Sequence, residues 1–282
     1  MNHLFIDNLT VIDFAYLDPD RGLVGESWIT DIVLGGELDE QGMVFDFGNV
    51  KRTIKRLIDE QVDHRLVVPA QATCLKRGKS AAHLSWTLSN GTQIHHEGPD
   101  QSVVYLDHNE VTRPAVARLL EQELKAVLPA NVTDVQVSLR EEQIEGAYYH
   151  YVHGLKKHLG NCQRIAHGHR SQIHIYINGQ RDTDLERHWA EQWRDIYVAT
   201  RDDLSESWSD ADGSEYVRFQ YDAEQGEFTL TLPRQRVWFL ETDTTVELIA
   251  AYLADEIKAS RPGDEVRVRA FEGVGKGAIA VR

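Results

Sequence analysis

The sequence contains little cysteine and no long apolar segment. Only Cys74 and Cys162 occur among the 282 residues, which excludes a disulfide framework and fits a reducing compartment. No apolar run approaches the roughly 20 residues that a membrane-spanning helix needs. The first ten residues also lack the basic segment that begins a secretory signal. These absences predict a cytoplasmic protein that has no contact with a membrane.

Positive charge is also scarce. The chain has 30 lysines and arginines against 45 aspartates and glutamates, a formal net charge of -15 at pH 7. A surface this acidic repels phosphate backbones, so nucleic acid is not expected as a partner. Hydrophobic residues nevertheless make up 41% of the sequence, which indicates a folded protein. At roughly 100–200 residues per domain, its length favours two domains.

The two halves of the chain share a pattern. An amphipathic helix is predicted over residues 117–129 and again over 250–262. A common spacing of valine, glutamate and glycine follows each helix: Val135, Val137, Glu141 and Gly146, then Val266, Val268, Glu272 and Gly277. Both matches occur in the same order, which predicts a duplicated unit with domains at 1–145 and 146–282. The alternative is two unrelated domains that share a common helix–strand pattern.

Strand and helix patterns alternate within each half. Hairpins are predicted over 82–96 and 215–232, where turn residues interrupt apolar alternation. Strands are predicted at 9–16, 28–35, 147–155, 172–178 and 265–271, and the spacing of Val50, Ile54, Leu57 and Ile58 predicts a helix that ends before Asp63. This order favours an α+β fold with antiparallel sheets and helices on one face.

Histidines cluster early in the second half. Six of the 13 lie between His150 and His174, and no aspartate or glutamate occurs from Gly146 through Arg181. His167 and His169 are two residues apart, so on a strand their side chains would project from the same face. This arrangement suits two ligands of a tetrahedral zinc ion. His153 on a neighbouring strand is a third candidate ligand and leaves one position open. The alternative is that these histidines cap turns or line a polar face.

These residues resemble a known family. Tyr149-x-x-x-His153-x-Leu155, then Cys162, then His167-Gly168-His169 resembles the zinc-site pattern of the 6-pyruvoyltetrahydropterin and 6-carboxytetrahydropterin synthase family. The first half holds segments similar to that family's GMVxDFxxLK and LDHxxLN patterns, from Gly42 to Lys51 and from Val62 to Leu66. The resemblance implies two tandem tunnelling-fold units. Tyr16, Val24 and Glu26 stand where the first unit would carry metal ligands, so only the second unit is expected to hold zinc.

The resemblance also implies functional roles. His153, His167 and His169 would bind zinc, Cys162 would act as general base, and His64, oriented by Asp63, would transfer a second proton. Glu272 or Glu141 would anchor the pterin, and the sequence does not decide between them. Arg164, Arg170, Lys156 or Lys157 could neutralise a triphosphate. Thr244 and Thr245 are candidate substrate contacts, although Thr244 and Glu247 also match a helix-capping pair.

The implied function is that of a zinc-dependent pterin synthase, a carbon–oxygen lyase acting on 7,8-dihydroneopterin triphosphate. The carboxy product, on the route to queuosine-type deazapurines, is expected in preference to the pyruvoyl product. Another zinc-dependent side-chain reaction and a non-catalytic pterin- or metal-binding protein remain alternatives. Family members build their sites between neighbouring units, so the resemblance also implies a homo-oligomer whose subunits complete a barrel.

Overall fold

The computed structural model describes residues 2–282, except for the side chains of Phe47, Asn49 and Val50. Two positions of the predicted Gly42–Lys51 match, Phe47 and Val50, therefore lie outside the described side chains. The described part of the first half contains two α-helices and eight strands: β1 (Asn2–Asp18), β2 (Gly22–Gly36), α1 (Phe47–Gln61), β3 (Leu66–Pro69), β4 (Leu75–Arg77), β5 (Leu84–Thr87), β6 (Gln93–Glu97), β7 (Val103–Leu106), α2 (Arg113–Val127) and β8 (Val132–Glu141).

The second half repeats this succession. Its elements are β9 (Tyr148–His153), β10 (His167–Ile177), β11 (Gln180–Arg181), α3 (Thr183–Gln192), β12 (Ile196–Thr200), β13 (Leu204–Ser209), β14 (Glu215–Ala223), β15 (Gly226–Pro233), β16 (Val237–Leu240), α4 (Val246–Ser260), β17 (Val266–Phe271) and β18 (Gly277–Val281). The predicted helix that ends before Asp63 and both predicted hairpins are confirmed. None of the helices in the described part of the chain is long and apolar enough to span a bilayer.

Each half builds its own sheet in the same order. The first sheet runs β7-β3-β1-β2-β8, and the second runs β16-β12-β9-β10-β17 with β18 added at its edge. The α+β class is confirmed, and two helices pack on one face of each sheet. The sheets are mixed, however, because the connections through α1 and α3 make β3 parallel to β1 and β12 parallel to β9. The predicted boundary at residues 145 and 146 lies between β8 and β9 and stays a prediction.

Helices α2 and α4 illustrate why the halves fold alike. Each buries one apolar stripe, formed by Ala117, Leu120 and Leu124 in α2 and by Ala250, Leu253 and Ile257 in α4. Thr112 and Thr245 cap them, each accepting a hydrogen bond from the backbone N–H three residues later. The predicted cap at Thr244 is therefore wrong by one residue. The Thr244 hydroxyl lies 3.2 Å from His153 Nδ1 instead, which leaves the next threonine to cap the helix.

A third sheet combines strands from both halves. Its order is β13-β14-β15-β6-β5-β4, and β15 pairs with β6 through Thr229–Glu97 and neighbouring residues. Trp86 from the first half and Phe219 and Phe228 from the second are buried in one shared core. This burial stabilises the contact between the halves, because separating them would expose large apolar side chains to water.

The two halves approach each other closely at two glycines. Gly25 on β2 is opposite Ala15, and Gly168 on β10 is opposite Val152. Ala15 pairs with β3 on its other side, and Val152 pairs with β12 in the same way. The two glycines therefore occupy equivalent positions of the duplicated unit. A Cβ on Gly25 would lie 1.9 Å from the Tyr151 carbonyl oxygen, and a Cβ on Gly168 would lie 2.7 Å from the Gly25 Cα. Only glycine permits this crossing.

Gly25→Ala is accordingly expected to lower the free energy of unfolding by about 3 kcal/mol or more, because a methyl group would overlap backbone that cannot move aside. Urea denaturation followed by circular dichroism measures the change. Gly263→Ala is the matched control, since a Cβ there meets no atom within 4 Å. Equal unfolding midpoints for the two variants would contradict the close crossing.

Candidate metal centre

Three buried imidazoles converge where β9 ends and β10 begins. His153 lies directly opposite His167 in the antiparallel pair, and His169 follows on the same face of β10. One nitrogen from each ring lies within 4.8 Å of the others. His153 Nε2 and His169 Nε2 are 3.3 Å apart. Two nitrogens bound to one tetrahedral zinc at about 2.0–2.1 Å would be separated by roughly this distance. The predicted ligand set therefore has a geometry that fits zinc.

The other ring nitrogens face acceptors in the protein. His153 Nδ1 lies 2.9 Å from the Thr244 carbonyl oxygen, and His167 Nδ1 lies 2.9 Å from the Arg164 carbonyl oxygen. Such contacts fix the tautomer so that Nε2 keeps a free lone pair. Burial lowers the pKa of both His153 and His167 well below the ordinary value. Both rings are thus neutral at pH 7, the form that binds a metal.

The third imidazole depends on the other half of the chain. His169 Nδ1 lies 3.2 Å from Asp13 Oδ1 on β1, although its orientation falls outside hydrogen-bond geometry. Ser27 Oγ donates to the same carboxylate oxygen at 2.5 Å, and Lys276 Nζ lies 3.0 Å from Oδ2. Burial opposes ionisation of Asp13, but the His169 ring and Lys276 outweigh it and hold the pKa below its ordinary value. Asp13 is therefore an ionised carboxylate directed at a candidate ligand.

Asp13→Asn is expected to weaken zinc binding by about 10- to 100-fold, the usual effect of removing a carboxylate behind a metal-bound histidine. Zinc competition against a chromophoric chelator measures the dissociation constant. Asp31→Asn is the control, since Asp31 lies on β2 and pairs with Arg140. An unchanged dissociation constant in Asp13→Asn would show that Asp13 does not support the site.

The predicted acid–imidazole pair lies beside this cluster. His64 Nδ1 is 2.7 Å from Asp63 Oδ2, and the His64 ring centroid is 5.0 Å from that of His167. Asp63 Oδ1 accepts a hydrogen bond from the Asp13 N–H, and the His64 N–H donates to the Asp13 carbonyl oxygen. These contacts hold the turn before β3 against β1. The first half thus delivers His64 to the histidines of the second half.

Cys162 completes the group. It lies in the loop between β9 and β10, and one ligand atom each from His64, Cys162 and His167 fall within 4.8 Å of one another. Burial lowers the pKa of His64, but hydrogen bonds with Asp63 and Cys162 outweigh it and raise the pKa to about 10. A thiol, an imidazole and three candidate metal ligands therefore form one cluster around His167, which suits proton transfer next to a Lewis acid.

The predicted substrate contacts fall into two groups. Arg164 is buried, and its Nη1 lies 3.4 Å from the His64 carbonyl oxygen. The Glu272 backbone N–H donates to the carbonyl oxygen of Lys276, whose Nζ lies 3.0 Å from Asp13 Oδ2, and Thr244 contacts His153. Arg170 and Glu141 instead lie together in a cavity that His153, His167 and His169 do not line. Thr245 caps α4. The remaining two candidates for binding the triphosphate already pair with acids, Lys156 with Asp203 and Lys157 with Asp243.

Sequence reasoning did not find Asp13, Ser27 or Lys276. None of them belongs to a motif, and they come from three separate strands or loops. One feature of the sequence does single out Asp13. It is a charged residue between two apolar residues, Ile12 and Phe14, that are both fully buried in the strand. A charged residue at such a position needs a partner. The sequence gives no indication that the partner is His169.

Comparison with known proteins identifies the family of the chain. The 6-pyruvoyl tetrahydropterin synthase family model matches residues 18–151 and again 145–281. Proteins of Pyrococcus horikoshii and Pyrococcus abyssi, provisionally named 6-carboxy-5,6,7,8-tetrahydropterin synthase, are 24% identical over 136 residues, which is 48% of this chain and 79% of each relative.

Solved structures give weaker similarity. The 6-pyruvoyl tetrahydropterin synthase of Plasmodium vivax aligns with 13% identity and a TM-score of 0.38 over 49% of this chain and 97% of its own. The Plasmodium falciparum enzyme aligns with 14% identity and a TM-score of 0.39, over 49% and 90%. Because the family model matches twice in succession, the chain belongs to the 6-pyruvoyl tetrahydropterin synthase family and carries its unit in tandem.

Proposed function

We propose that the chain is a zinc-dependent tetrahydropterin synthase that acts on 7,8-dihydroneopterin triphosphate and releases triphosphate. The observation that carries this proposal is the meeting of His64 from the first half with Cys162, His167 and His169 from the second. Membership of the family supports a pterin-pathway lyase. The name given to the Pyrococcus relatives favours 6-carboxytetrahydropterin over the pyruvoyl product.

His153, His167 and His169 would hold the zinc, which supplies a Lewis acid for oxygens of the substrate side chain. Cys162 takes a proton from the side-chain carbon, since a thiolate beside a cationic group is an effective base at neutral pH. His64 transfers a second proton, and the Asp63 carboxylate holds its ring in one orientation. Because these groups are fixed before substrate binds, little reorganisation accompanies the proton transfers.

Glu272 and Arg164 would bind the two ends of the substrate. A Glu272 carboxylate accepts hydrogen bonds from the pterin amide edge, and the Arg164 guanidinium, close to His64, attracts the triphosphate. Glu141 lies outside this pocket, beside Arg170, so Glu272 is the pterin anchor in this proposal. Assembly into a homo-oligomer that closes a barrel, and a location in the cytoplasm, belong to the same proposal.

Purified protein tests the function directly. Elemental analysis should give about one zinc per chain, as three imidazoles with one open position require. Incubation with 7,8-dihydroneopterin triphosphate should consume one water, release triphosphate and the two outer side-chain carbons as acetaldehyde, and yield a carboxylated tetrahydropterin, identified by mass spectrometry. Protein stripped of metal serves as the control. Side-chain cleavage without triphosphate loss would replace this reaction by another dihydropterin reaction, and binding without turnover would exclude an enzyme.

A further inference from the structure

A second cavity lies on the opposite face of the β9–β10 pair from the candidate metal centre. His150 and Arg170 are directly opposite each other on these strands and alternate with the metal-site residues. The cavity, about 410 Å³ in volume, is lined by His150, Arg170, Tyr148, Tyr16, Glu26 and Arg113, among others. A further cavity of about 420 Å³ adjoins it through Arg21, Tyr148 and His150. The candidate metal centre uses none of these side chains.

This cavity is the counterpart of the metal centre in the duplicated unit. The equivalence of Gly25 with Gly168 places Val24 and Glu26 where the second half has His167 and His169. Tyr16 faces Val24 as His153 faces His167. The three imidazoles are thus replaced by a phenol, an aliphatic group and a carboxyl. That set cannot form a three-imidazole zinc centre.

The residues that support the metal centre are exchanged in the same way. Asp13 contacts His169 in the first site, whereas His150 Nδ1 lies 3.9 Å from Glu26 Oε2 in the second. His64 and Asp195 both have left-handed backbone, with φ of 56° and 54°, just before the strands β3 and β12. Asp195 is bound by Arg21 through two hydrogen bonds of 2.6 and 3.0 Å. The second site is therefore a built arrangement rather than an eroded copy.

Two guanidinium groups have no counterpart at the metal centre. Arg170 follows His169, whereas the equivalent residue after Glu26 is Ser27. Arg113 begins α2 after its capping threonine, whereas Val246 begins α4. The second site has thus lost its metal ligands and gained two fixed positive charges. The N-terminus of α2, next to Arg113, adds the favourable end of a helix dipole for a negative group.

Acidic groups of the cavity neutralise these charges only in part. Glu141 is shared between Arg113 at 3.9 Å and Arg170 at 4.0 Å, both longer than a hydrogen bond. Burial raises the pKa of Glu26 to about 7, so this carboxyl is partly protonated at neutral pH. Arg170 is only 7% exposed, and its Nη1 donates to the Glu142 carbonyl oxygen at 3.0 Å while its ion pair with Glu141 is longer. A buried guanidinium without a close carboxylate favours an anionic ligand.

An aromatic surface adjoins the positive charge. The Arg170 guanidinium carbon lies 4.1 Å from the centre of the Tyr148 ring. Tyr148 remains 43% exposed and lines both cavities. A planar ligand ring can stack on such a surface while its charged group reaches the guanidiniums. The shape and the charge therefore point to one class of ligand.

We propose that this cavity is a second, metal-free binding site for a planar heteroaromatic ligand that carries a carboxylate or phosphate. The anionic group binds Arg113 and Arg170, and the ring packs against Tyr148. The inference rests on the proposed function only for its probe, pterin-6-carboxylate, which has the ring and charge of the expected product class. No chemical step is assigned to the site.

Calorimetric titration of the full-length, zinc-loaded chain with pterin-6-carboxylate tests the inference. One equivalent of binding should weaken by about 10- to 100-fold in Arg113→Ala, the effect of losing a charge-assisted hydrogen bond. Arg170→Gln should give a similar loss. Arg118→Ala is the matched control, because Arg118 lies on the same helix and contacts His108 rather than the cavity. Zinc content should be the same in wild type and Arg113→Ala.

Several results would overturn the inference. An isotherm unchanged in Arg113→Ala would remove the site, and an equal loss in Arg118→Ala would reduce the effect to overall charge. Inorganic phosphate binding as tightly as the probe would remove the role of the ring, and unsubstituted pterin binding equally well would remove the role of the anion. Arginine-dependent binding in a chain without synthase activity would retain this inference and reject only the proposed function.

Discussion

His167→Ala should bind little zinc and lose at least about a thousandfold in turnover, since a bound metal acting as Lewis acid lowers the activation barrier by several kcal/mol. His167 is the imidazole that faces His153 on one side and His64 on the other. Its removal leaves two imidazoles, fewer than the three protein ligands of a typical catalytic zinc. Elemental analysis and product formation measure the two effects on the same preparation.

His174→Ala is the matched control for this experiment. His174 lies further along β10 and contacts Gln172 rather than the cluster, so zinc content and turnover should match those of the wild type. Full zinc occupancy in His167→Ala would contradict the candidate metal centre, even if turnover fell. Loss of zinc in both variants would point to general destabilisation of β10.

Substitutions of the proton-transfer groups should separate turnover from metal binding. Cys162→Ala and His64→Asn are each expected to lower turnover by about 10²- to 10⁴-fold, the usual contribution of a general acid or base. Zinc content should remain normal, because neither residue belongs to the three-imidazole set. Asparagine is chosen at position 64 because the backbone there has φ of 56°, which asparagine tolerates better than most residues.

Cys74→Ala controls for the loss of a thiol. Cys74 is the other free cysteine of the described chain and packs against the core shared by the two halves. Its substitution should leave turnover unchanged. If His64→Asn were fully active, the two halves would not share one catalytic pocket. Loss of zinc in Cys162→Ala would instead make the thiol a metal ligand.

The sequence allowed the cluster of candidate metal ligands to be predicted because their pattern is local. His167 and His169 lie two apart on a strand, so the period of two already places them on one face. His153 ends the preceding strand of the sequence, 14 positions before His167. The predicted helix before Asp63 is equally local, since its apolar spacing continues to Val62. The family resemblance led us to expect His64 at the same site.

Features that depend on distant packing could not be predicted. The pairing of β15 with β6 joins residues more than a hundred positions apart, and neither hairpin indicates its partner. The role of Thr244 was misjudged for the same reason. Its spacing to Glu247 fits a helix cap, but its hydroxyl faces His153, and that contact exists only after β9 and α4 pack together. No motif indicated the second cavity, because the residues that line it stand where the duplicated unit would otherwise carry its metal ligands.

The crossing of Gly25 and Gly168 has a consequence for how this protein evolves. In an assembly of identical single units, each amino-acid change is repeated in every copy of the pocket, so no copy can specialise. When two units are fused into one chain around this glycine contact, a substitution in one pocket is no longer repeated in the other. One can retain the ancestral chemistry while selection reshapes the other, and both inherit the same rigid scaffold.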